Sequence, residues 1–367
     1  MIAVSPATRM PVHFELPSEL VAAEPPEARG LERDEVRLLV AHPGRLRHAR
    51  FRDIGDVLEP GDLLVVNVSA TLPAAVDAIR HGRGPVTVHF STAWSAATWI
   101  VELRRPDGSG PVRDGVPGET VDLPGAARLR LIAAPVRGPH RFAVVGCGIR
   151  GMDESRLWVA RVDVDGPVEA YLAAHGRPIA YGYIPDRWPL SAYQTVFAAE
   201  PGSAEMPSAG RPFTAQLVAR LISRGVVVAP VLLHAGVSSL EAGEEPQAER
   251  FRVPPATAAL VAHTRRQGGR VIAVGTTVTR ALETVARSDG SISAGEGWTD
   301  LVLGSERPAR VVDGLLTGWH APDAPHLRLL EAVAGLSLVR EAYQEALEAG
   351  YLWHEFGDSC LLLCARP

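Results

Sequence analysis

The stretch RVIAVGTTVTRALET, residues 270–284, decides the fold class, because it joins a buried strand directly to a helix. The apolar strand ends at Gly275, and Thr276 and Thr277 then begin a helical pattern. A threonine at such a position can cap the helix, and the exposed N–H groups and the helix dipole can hold a carboxylate or a phosphate. The turn between strand and helix is therefore a candidate ligand site.

The same helix carries two charged residues, Arg280 and Glu283, three positions apart and hence on one face. Two interpretations follow from this spacing. The pair belongs either to the ligand site at the turn or to a capped helix whose ion pair faces solvent.

Helical and extended patterns alternate on both sides of this stretch, from residue 213 to the carboxyl end. Such alternation predicts a layered α/β architecture. The predicted helices span residues 214–223, 255–266, 277–287, 326–333 and 337–349, and the predicted strands span residues 226–234, 270–274, 300–303 and 360–364.

Residues 61–165 have a different sequence pattern, in which seven short β-rich runs are separated by glycine and proline. Seven such runs at close spacing indicate a small barrel or sandwich. We therefore predict an α/β fold in which residues 1–69 and 165–367 form a mixed α/β domain, interrupted by an inserted small β-barrel of residues 70–164. The seven runs are LLVVNVS, PVTVHF, TWIVELRR, ETVDL, ARLRLIA, HRFAVVG and LWVARVDV.

Residues 176–212 show no clear hydrophobic periodicity and form a long connection between the β-rich region and the region of alternating helices and strands. A loop of this length inside a compact protein is usually functional or disordered. Its aromatic residues argue against disorder and for a functional loop. They are Tyr181, Tyr183, Trp188, Tyr193 and Phe197.

The composition of the 367 residues excludes several chemistries. All 37 basic residues are arginine, so no lysine can form a Schiff base or bind phosphate in a Walker-type loop. The net charge of −5 gives no global basic field of the kind expected for a dedicated nucleic-acid binder. The length predicts two or three domains.

The cysteine and histidine spacings predict no disulfide framework and no metal site. Cys147, Cys360 and Cys364 are too few and too scattered, and the last two lie in an apolar run that indicates core packing. No apolar stretch approaches the roughly 18 residues of a membrane span, and the first residues lack a signal-peptide pattern. We expect a cytoplasmic monomer without a membrane partner.

Residues 146–151, GCGIRG, match the dinucleotide-binding fingerprint and would make the protein a nicotinamide-dependent dehydrogenase. That fingerprint needs a helix to begin at its last glycine. Alternating and β-branched residues follow instead, so a glycine-rich hairpin is the favoured interpretation.

Two histidines and several carboxylates are further candidates. His234 follows a strand pattern in VVVAPVLLHAG, at the end of a sheet strand where ligands usually bind, although a core histidine is the alternative. His320 lies in a proline-rich loop before a helix. The acidic residues Glu241, Glu244, Glu245 and Glu249 could supply a general base, or they could simply be solvated.

An ordered series of motifs runs through the whole chain: FELPSEL, EPGDLLVVN, AYQTVF with PSAGRPFT, LLHAG, VGTTVTRALE, LLTGWHAP and FGDSCLLL. This series resembles the S-adenosylmethionine:tRNA ribosyltransferase-isomerase family of queuosine biosynthesis. The resemblance implies an α/β domain with an inserted β-barrel, and the sequence patterns described above agree with that arrangement.

The resemblance also implies a reaction. S-adenosylmethionine serves as a ribosyl donor, and its sulfonium acidifies the C5′ hydrogens so that a base can remove one. The aminomethyl group of a 7-deazaguanine in tRNA attacks the ribose, adenine and methionine leave, and an epoxide-bearing ring (epoxyqueuosine) forms. No metal is implied. Matching motif positions imply catalytic roles for His234, Glu249, Glu283 and His320, and cofactor contacts for Tyr193, Gln194, Gly210, Phe213, Gly275, Thr276, Thr277, Arg280 and Asp358.

Several motif positions depart from the family pattern. Val68-Ser69-Ala70 replaces Asp-Thr-Arg, Ala75 replaces an arginine, and Pro212 and Gln247 replace histidines. Arg211 stands for leucine, residues 238–240 read Ser-Ser-Leu for Gly-Thr-Phe, and residues 318–322 read Gly-Trp-His-Ala-Pro for Asn-Phe-His-Leu-Pro. The lost arginines weaken the expectation of a tRNA partner. They leave open a paralogue with a small-molecule acceptor, or a non-catalytic protein that binds S-adenosylmethionine or a nucleoside.

Overall fold

A computed structural model describes residues 14–135, 156–237, 247–322 and 324–364. Its strands are β1 Arg37–His42, β2 Arg45–Arg50, β3 Leu63–Asn67, β4 Ser69–Thr71, β5 Ala75–Arg80, β6 Gly84–Ser95, β7 Thr98–Arg104, β8 Thr120–Asp122, β9 Arg128–Ala133, β10 Leu157–Asp163, β11 Glu200–Ser203, β12 Val227–Leu233, β13 Glu249–Val253, β14 Val271–Val274, β15 Gly295–Thr299, β16 Gly314–Gly318 and β17 Ser359–Leu363. Its helices are α1 Val168–His175, α2 Ala215–Ser223, α3 Pro255–Arg266, α4 Thr276–Thr284, α5 His326–Ala334 and α6 Leu336–Glu348.

A nine-stranded mixed sheet forms the centre of the α/β part, in the order β15-β13-β12-β3-β14-β16-β17-β1-β2. Strands β12, β3, β14 and β16 run parallel, so their carboxyl ends meet at one edge. The apolar strand β3 alternates between two cores, with Leu63 and Val65 in one and Leu64 and Val66 in the other. Both faces of the sheet are therefore covered, as expected for continuous apolar strands.

A closed six-stranded barrel, in the order β10-β7-β6-β5-β8-β9, lies between β4 and α1 in the chain. Its core contains Phe90, Trp99, Leu129 and Trp158. The predicted fold class, a mixed α/β domain interrupted by a small β-barrel, is confirmed. The predicted boundaries at residues 70 and 164 stay a prediction, although every barrel strand lies within them.

Two of the seven β-rich runs require comment. The run LLVVNVS contains β3 of the central sheet, because its residues are apolar on both faces, and it lies at residues 63–69, inside the predicted α/β domain. The sixth barrel strand is β5, whose AVDAIR pattern was overlooked. The run HRFAVVG and the GCGIRG motif with Cys147 lie outside the described residues.

The predicted strand at residues 300–303 is also wrong. The strand is β15, which ends at Thr299, and the hydroxyl of Thr299 accepts a hydrogen bond from the backbone N–H of Leu301 at 3.3 Å. The chain thus turns out of the sheet just before the apolar residues. Strands β13 and β16 were not predicted. Within the described residues, no helix has both the length and the apolar character to cross a membrane.

Candidate functional site

A cavity of about 760 Å³ opens at the edge where the parallel strands end. Ala235 lies two residues after β12, Gly275 directly follows β14, and Thr317 is the last residue but one of β16; all three line the cavity. The remaining wall comes from Arg104 of the barrel and from loop residues around 179–183, 204–209 and 354–355. Both the position at the strand ends and the volume are typical of a small-molecule site in an α/β protein.

The amino end of α4 forms part of the cavity wall through Gly275, Thr276 and Thr277. Gly275 has a φ of +100°, a conformation that favours glycine, and the helix begins directly after it. The side-chain amide of Asn67 donates to the carbonyl of Leu233 at 2.8 Å and to the hydroxyl of Thr277 at 3.3 Å. The ends of β3 and β12 are thereby tied to the first turn of α4, whose free N–H groups suit an anion.

Arg280 is buried beside the cavity and forms an ion pair with Glu249. Glu249 also accepts a hydrogen bond from the backbone N–H of Gly236 at 2.9 Å. The guanidinium of Arg280 donates to the carbonyls of Leu301, Gln247 and Thr299 at 3.2, 3.2 and 3.1 Å. The interpretation of a solvent-facing Arg280–Glu283 pair is therefore wrong, because Arg280 is saturated by other partners and joins α4 to β13.

Glu283 does not line the cavity, although Arg280, three positions earlier on α4, does. Its Oε1 accepts hydrogen bonds from the backbone N–H groups of Arg310, Val311 and Val312 at 2.8, 2.8 and 3.2 Å. The side chain is 1% exposed. The structure thus places this predicted catalytic residue where it holds the loop that precedes β16.

His234 also lies behind the cavity wall rather than on it. Its Nδ1 is 2.8 Å from the hydroxyl of Ser69, which in turn is 2.6 Å from the hydroxyl of Ser203. Burial lowers the pKa of His234 to about 4, and the charge of Arg250 adds to this effect. The ring is therefore neutral at pH 7 and connects the end of β12 to strands β4 and β11.

Three histidines line the cavity: His320, His326 and His354. The rings of His320 and His326 stack at 4.6 Å with an interplanar angle of 9°, and Nε2 of His320 is 2.9 Å from the hydroxyl of Thr317. Burial holds the pKa of His320 well below its usual range and lowers that of His326 to about 4. A neutral imidazole on the wall can accept a proton from a bound ligand.

A group of tyrosines and glutamates also lines the cavity. The hydroxyl of Tyr183 donates to Oε2 of Glu355 at 2.7 Å, and the hydroxyl of Tyr181 donates to Glu205. Burial raises the pKa of Glu355 to about 7, and the neighbouring charge of Glu205 contributes to the rise. This group combines carboxylates with hydroxyl groups and is chemically distinct from the α4 end.

The structure brings seven predicted site residues to the cavity and leaves six outside it. The six serve the framework: Gln194, for example, exchanges two hydrogen bonds with the backbone of Thr71, and Asp358 accepts from the backbone N–H groups of Arg37 and Leu352. On the wall are Tyr193, Glu249, Gly275, Thr276, Thr277, Arg280 and His320; away from it are Gln194, Gly210, Phe213, His234, Glu283 and Asp358.

Several wall residues were not predicted individually. Tyr181 and Tyr183 belong to the aromatic loop that was expected to be functional, but Glu205, His326, His354 and Glu355 carry no periodic or motif signal of their own. Of the other candidate carboxylates, Glu241, Glu244 and Glu245 lie outside the described residues. Among the described residues, no group of three or more His, Cys, Asp or Glu is arranged to hold a metal ion.

The motif departures have clear structural settings. Ala75 is 2% exposed in the barrel core, where an arginine side chain would have no space in this packing. Arg211 is buried and pairs with Glu27 at 2.8 Å. Trp319 is buried on the cavity wall, and its indole N–H has no hydrogen-bond partner among the described residues.

An open α/β sheet with a polar cavity at its strand ends, walled in part by an inserted barrel, is the architecture of an enzyme. A family model described as queuosine biosynthesis protein matches residues 10–362. The chain belongs to this family of queuosine biosynthesis proteins.

Individual relatives agree with the family match. The S-adenosylmethionine:tRNA ribosyltransferase-isomerase of Moorella thermoacetica is 37% identical, over 95% of this chain and 98% of its own length. The protein of the same name from Thermus thermophilus is 34% identical over the same shares of both chains. The crystal structure of the S-adenosylmethionine tRNA ribosyltransferase of Thermotoga maritima covers 96% of this chain and 100% of its own, with 28% identity and a TM-score of 0.52.

Proposed function

We propose that the protein transfers and isomerises the ribosyl part of S-adenosylmethionine onto a 7-aminomethyl-7-deazaguanine base in tRNA, forming epoxyqueuosine and releasing adenine and methionine. The observation that carries this proposal is the cavity at the strand ends. The chain also matches relatives named for that activity over almost the whole length of both proteins. The reaction takes place in the cytoplasm, where tRNA is found.

The polar groups of the cavity fit S-adenosylmethionine. The first turn of α4 at Thr276 and Thr277 offers free N–H groups to the carboxylate of its methionine part. The unpartnered indole N–H of Trp319 offers a donor to an acceptor atom of the ligand. When bound, S-adenosylmethionine supplies a sulfonium that acidifies the C5′ hydrogens and activates the ribosyl group.

His320 is the residue that we assign as the base for the C5′ proton. Its ring is neutral, lies on the cavity wall and is held by Thr317. Glu249 is less suited to this role, because Arg280 and the N–H of Gly236 already occupy its oxygens. His326, stacked on His320, fixes the plane of the ring.

The test is to incubate the protein with S-adenosylmethionine, with and without tRNA that carries the aminomethyl-deazaguanine, and to measure adenine and methionine. Release that depends on this tRNA supports the proposal. We expect His320→Gln to lower release at least tenfold, whereas His81→Gln, at a side chain that is 78% exposed on the barrel, leaves it unchanged. Full activity of His320→Gln would show that His320 is not the base for the C5′ proton.

A second candidate is the same chemistry with a small-molecule acceptor. It is favoured by the alanines at positions 70 and 75, where the resemblance implies arginines, and by the carboxylates Glu205 and Glu355 on the wall, which repel phosphate. Release with the free aminomethyl-deazaguanine base but not with tRNA would select this candidate. Binding of S-adenosylmethionine without release under both conditions would instead identify a non-catalytic binding protein.

A further inference from the structure

The cavity wall also carries a cluster of tyrosines and glutamates in which only Tyr193 has a role implied by the family motifs; we name it the tyrosine–glutamate cluster. It consists of Tyr181, Tyr183, Tyr193, Glu205 and Glu355, all of which line the cavity. Two tyrosine hydroxyls donate to the two carboxylates, as described above. A carboxylate has about four acceptor positions, so Glu355 keeps positions that a ligand can use.

The negative charge of Glu355 is not neutralised within the protein. Among the described residues, no arginine or histidine forms an ion pair with it. Arg104, which also lines the cavity, lies over the ring of Tyr181 at 5.2 Å and donates to Glu102 at 3.2 Å. The carboxylate of Glu355 can therefore form an ion pair with a cationic group of a ligand.

An independent observation comes from Tyr193. Its side chain is 3% exposed and lines the same cavity, yet its hydroxyl has no hydrogen-bond partner among the described residues. A buried hydroxyl without a partner is costly, so native proteins usually satisfy it with a ligand or water. Burial raises the pKa of Tyr193, and the charge of Glu355 adds to the rise.

The chemistry of this cluster is that of an ammonium site. A primary ammonium group donates up to three hydrogen bonds and carries one positive charge. Two carboxylates and a hydroxyl lone pair are its natural acceptors, whereas a phosphate or carboxylate ligand would be repelled. The cluster and the amino end of α4 line the same cavity and suit groups of opposite charge.

We propose that the tyrosine–glutamate cluster binds the primary ammonium group of the acceptor substrate, and that Glu355 removes its proton. This inference rests on the proposed ribosyl transfer, for which the acceptor amine must be neutral in order to attack. One N–H bond of the ammonium breaks and an O–H bond forms on the Glu355 carboxylate. The freed lone pair makes the amine the nucleophile for the ribosyl transfer described above, in which adenine and methionine leave, and the proton stays on Glu355.

The titration of Glu355 suits this role. The titratable groups facing it are Tyr183, Tyr193 and Glu205, with His354 next to it in the chain and stacked on Tyr183 at 4.5 Å. Its pKa of about 7 lies near neutral pH, where a general base works best. Burial of the carboxylate thus produces a base rather than only a counter-ion.

The binding test compares two ligands by titration calorimetry: the free base 7-aminomethyl-7-deazaguanine and 7-methyl-7-deazaguanine, which lacks the amine. We expect the protein to bind the amine at least tenfold more tightly. Glu355→Gln should abolish this preference, and Tyr193→Phe should reduce it several-fold. Glu169→Gln, at an exposed position in the first turn of α1, is the matched control and should leave it intact.

The kinetic test separates this inference from the proposed function. In the unaltered protein, kcat/KM for the acceptor should rise with pH through about 7, and Glu355→Gln should lose that limb while its Kd for S-adenosylmethionine is unchanged. Glu355→Asp should restore part of the limb. Absence of adenine release from the unaltered protein would overturn the reaction, but the amine preference would still be measured.

The inference is overturned if the protein shows no preference for the amine, or if Glu355→Gln keeps both the preference and the pH limb. Circular dichroism checks that each variant folds. Should Glu355→Gln fail to fold, the single variants Glu205→Gln and Tyr193→Phe test the inference instead. Each alters the same ammonium site and leaves Glu355 in place. Retention of the full preference in both variants counts against the cluster.

Discussion

Glu283 illustrates how one carboxylate can organise a segment without touching a ligand. Because its Oε1 accepts three backbone N–H groups, Glu283→Ala leaves these donors buried and unsatisfied. We expect a loss of about 2–4 kcal/mol in the free energy of unfolding, measured in urea. Activity per folded molecule should stay the same. A variant of unchanged stability and lost activity would contradict the structural role and restore Glu283 as a catalytic candidate.

His234 should make stability depend on pH. The folded pKa is about 4 and the usual value is 6.5, so the unfolded chain binds a proton that the folded protein excludes. Its stabilising contribution is therefore complete above pH 6.5 and is lost as the pH falls toward 4. Between these values the unaltered protein should lose up to about 1.4 kcal/mol per pH unit relative to His234→Asn.

The control for this measurement is His81→Asn, whose histidine is exposed on the barrel. It should follow the pH dependence of the unaltered protein. Parallel curves for the unaltered protein and His234→Asn would show that His234 is not kept neutral by the fold.

Single residues show where sequence reasoning stops. The turn at Gly275 and the motif position of His320 could be predicted, because strand ends and helix caps leave local patterns. The role of Glu355 could not, since its burial and its bond to Tyr183 come from segments 172 positions apart. The contacts of Glu283 could not be predicted for the same reason: its partners at 310–312 are invisible in the helix that carries it.

At the scale of elements, the matched glycines Gly275 and Gly335 permit a sharp prediction. Each glycine directly precedes a helix and has a positive φ, which is +100° at Gly275 and +80° at Gly335. Only Gly275 borders the cavity. Alanine at either position should cost about 1–3 kcal/mol of stability. Only Gly275→Ala should also weaken binding of S-adenosylmethionine, because it shifts the N–H groups of the first turn of α4.

Calorimetric Kd values for S-adenosylmethionine check this prediction. We expect at least a fivefold increase for Gly275→Ala and none for Gly335→Ala. Equal Kd values in the two variants would mean that the amino end of α4 does not hold the ligand.

Helices and strands could be predicted from the sequence where one face of the element is buried, or where a nearby side chain caps the helix. Helix α2 begins after Thr214, whose hydroxyl accepts from the N–H of Leu217 at 3.1 Å, as its sequence predicts. Strand β13 was missed because Glu249, Arg250 and Arg252 disguise its alternation. Its glutamate is buried only because Arg280 reaches it from α4, which is a tertiary effect.

At the scale of the whole molecule, the arginine-only composition and the net charge of −5 bear on the identity of the acceptor. A tRNA must approach through phosphate contacts with arginines, and each such contact makes binding weaker as salt increases. A free base that enters the cavity makes no phosphate contact. The two candidate acceptors therefore differ in their salt dependence, whatever the chemistry inside the cavity.

For tRNA as the acceptor, we expect the logarithm of kcat/KM to fall linearly with the logarithm of the salt concentration, with a slope of magnitude about 2 or more. For the free aminomethyl-deazaguanine base, kcat/KM should change less than about twofold over the same range, because the ammonium site at Glu355 is buried and weakly screened. The KM for S-adenosylmethionine serves as the control and should change little with either acceptor. A tRNA reaction that is insensitive to salt would contradict a phosphate-based docking mode, and a steep slope for the free base would contradict binding inside the cavity.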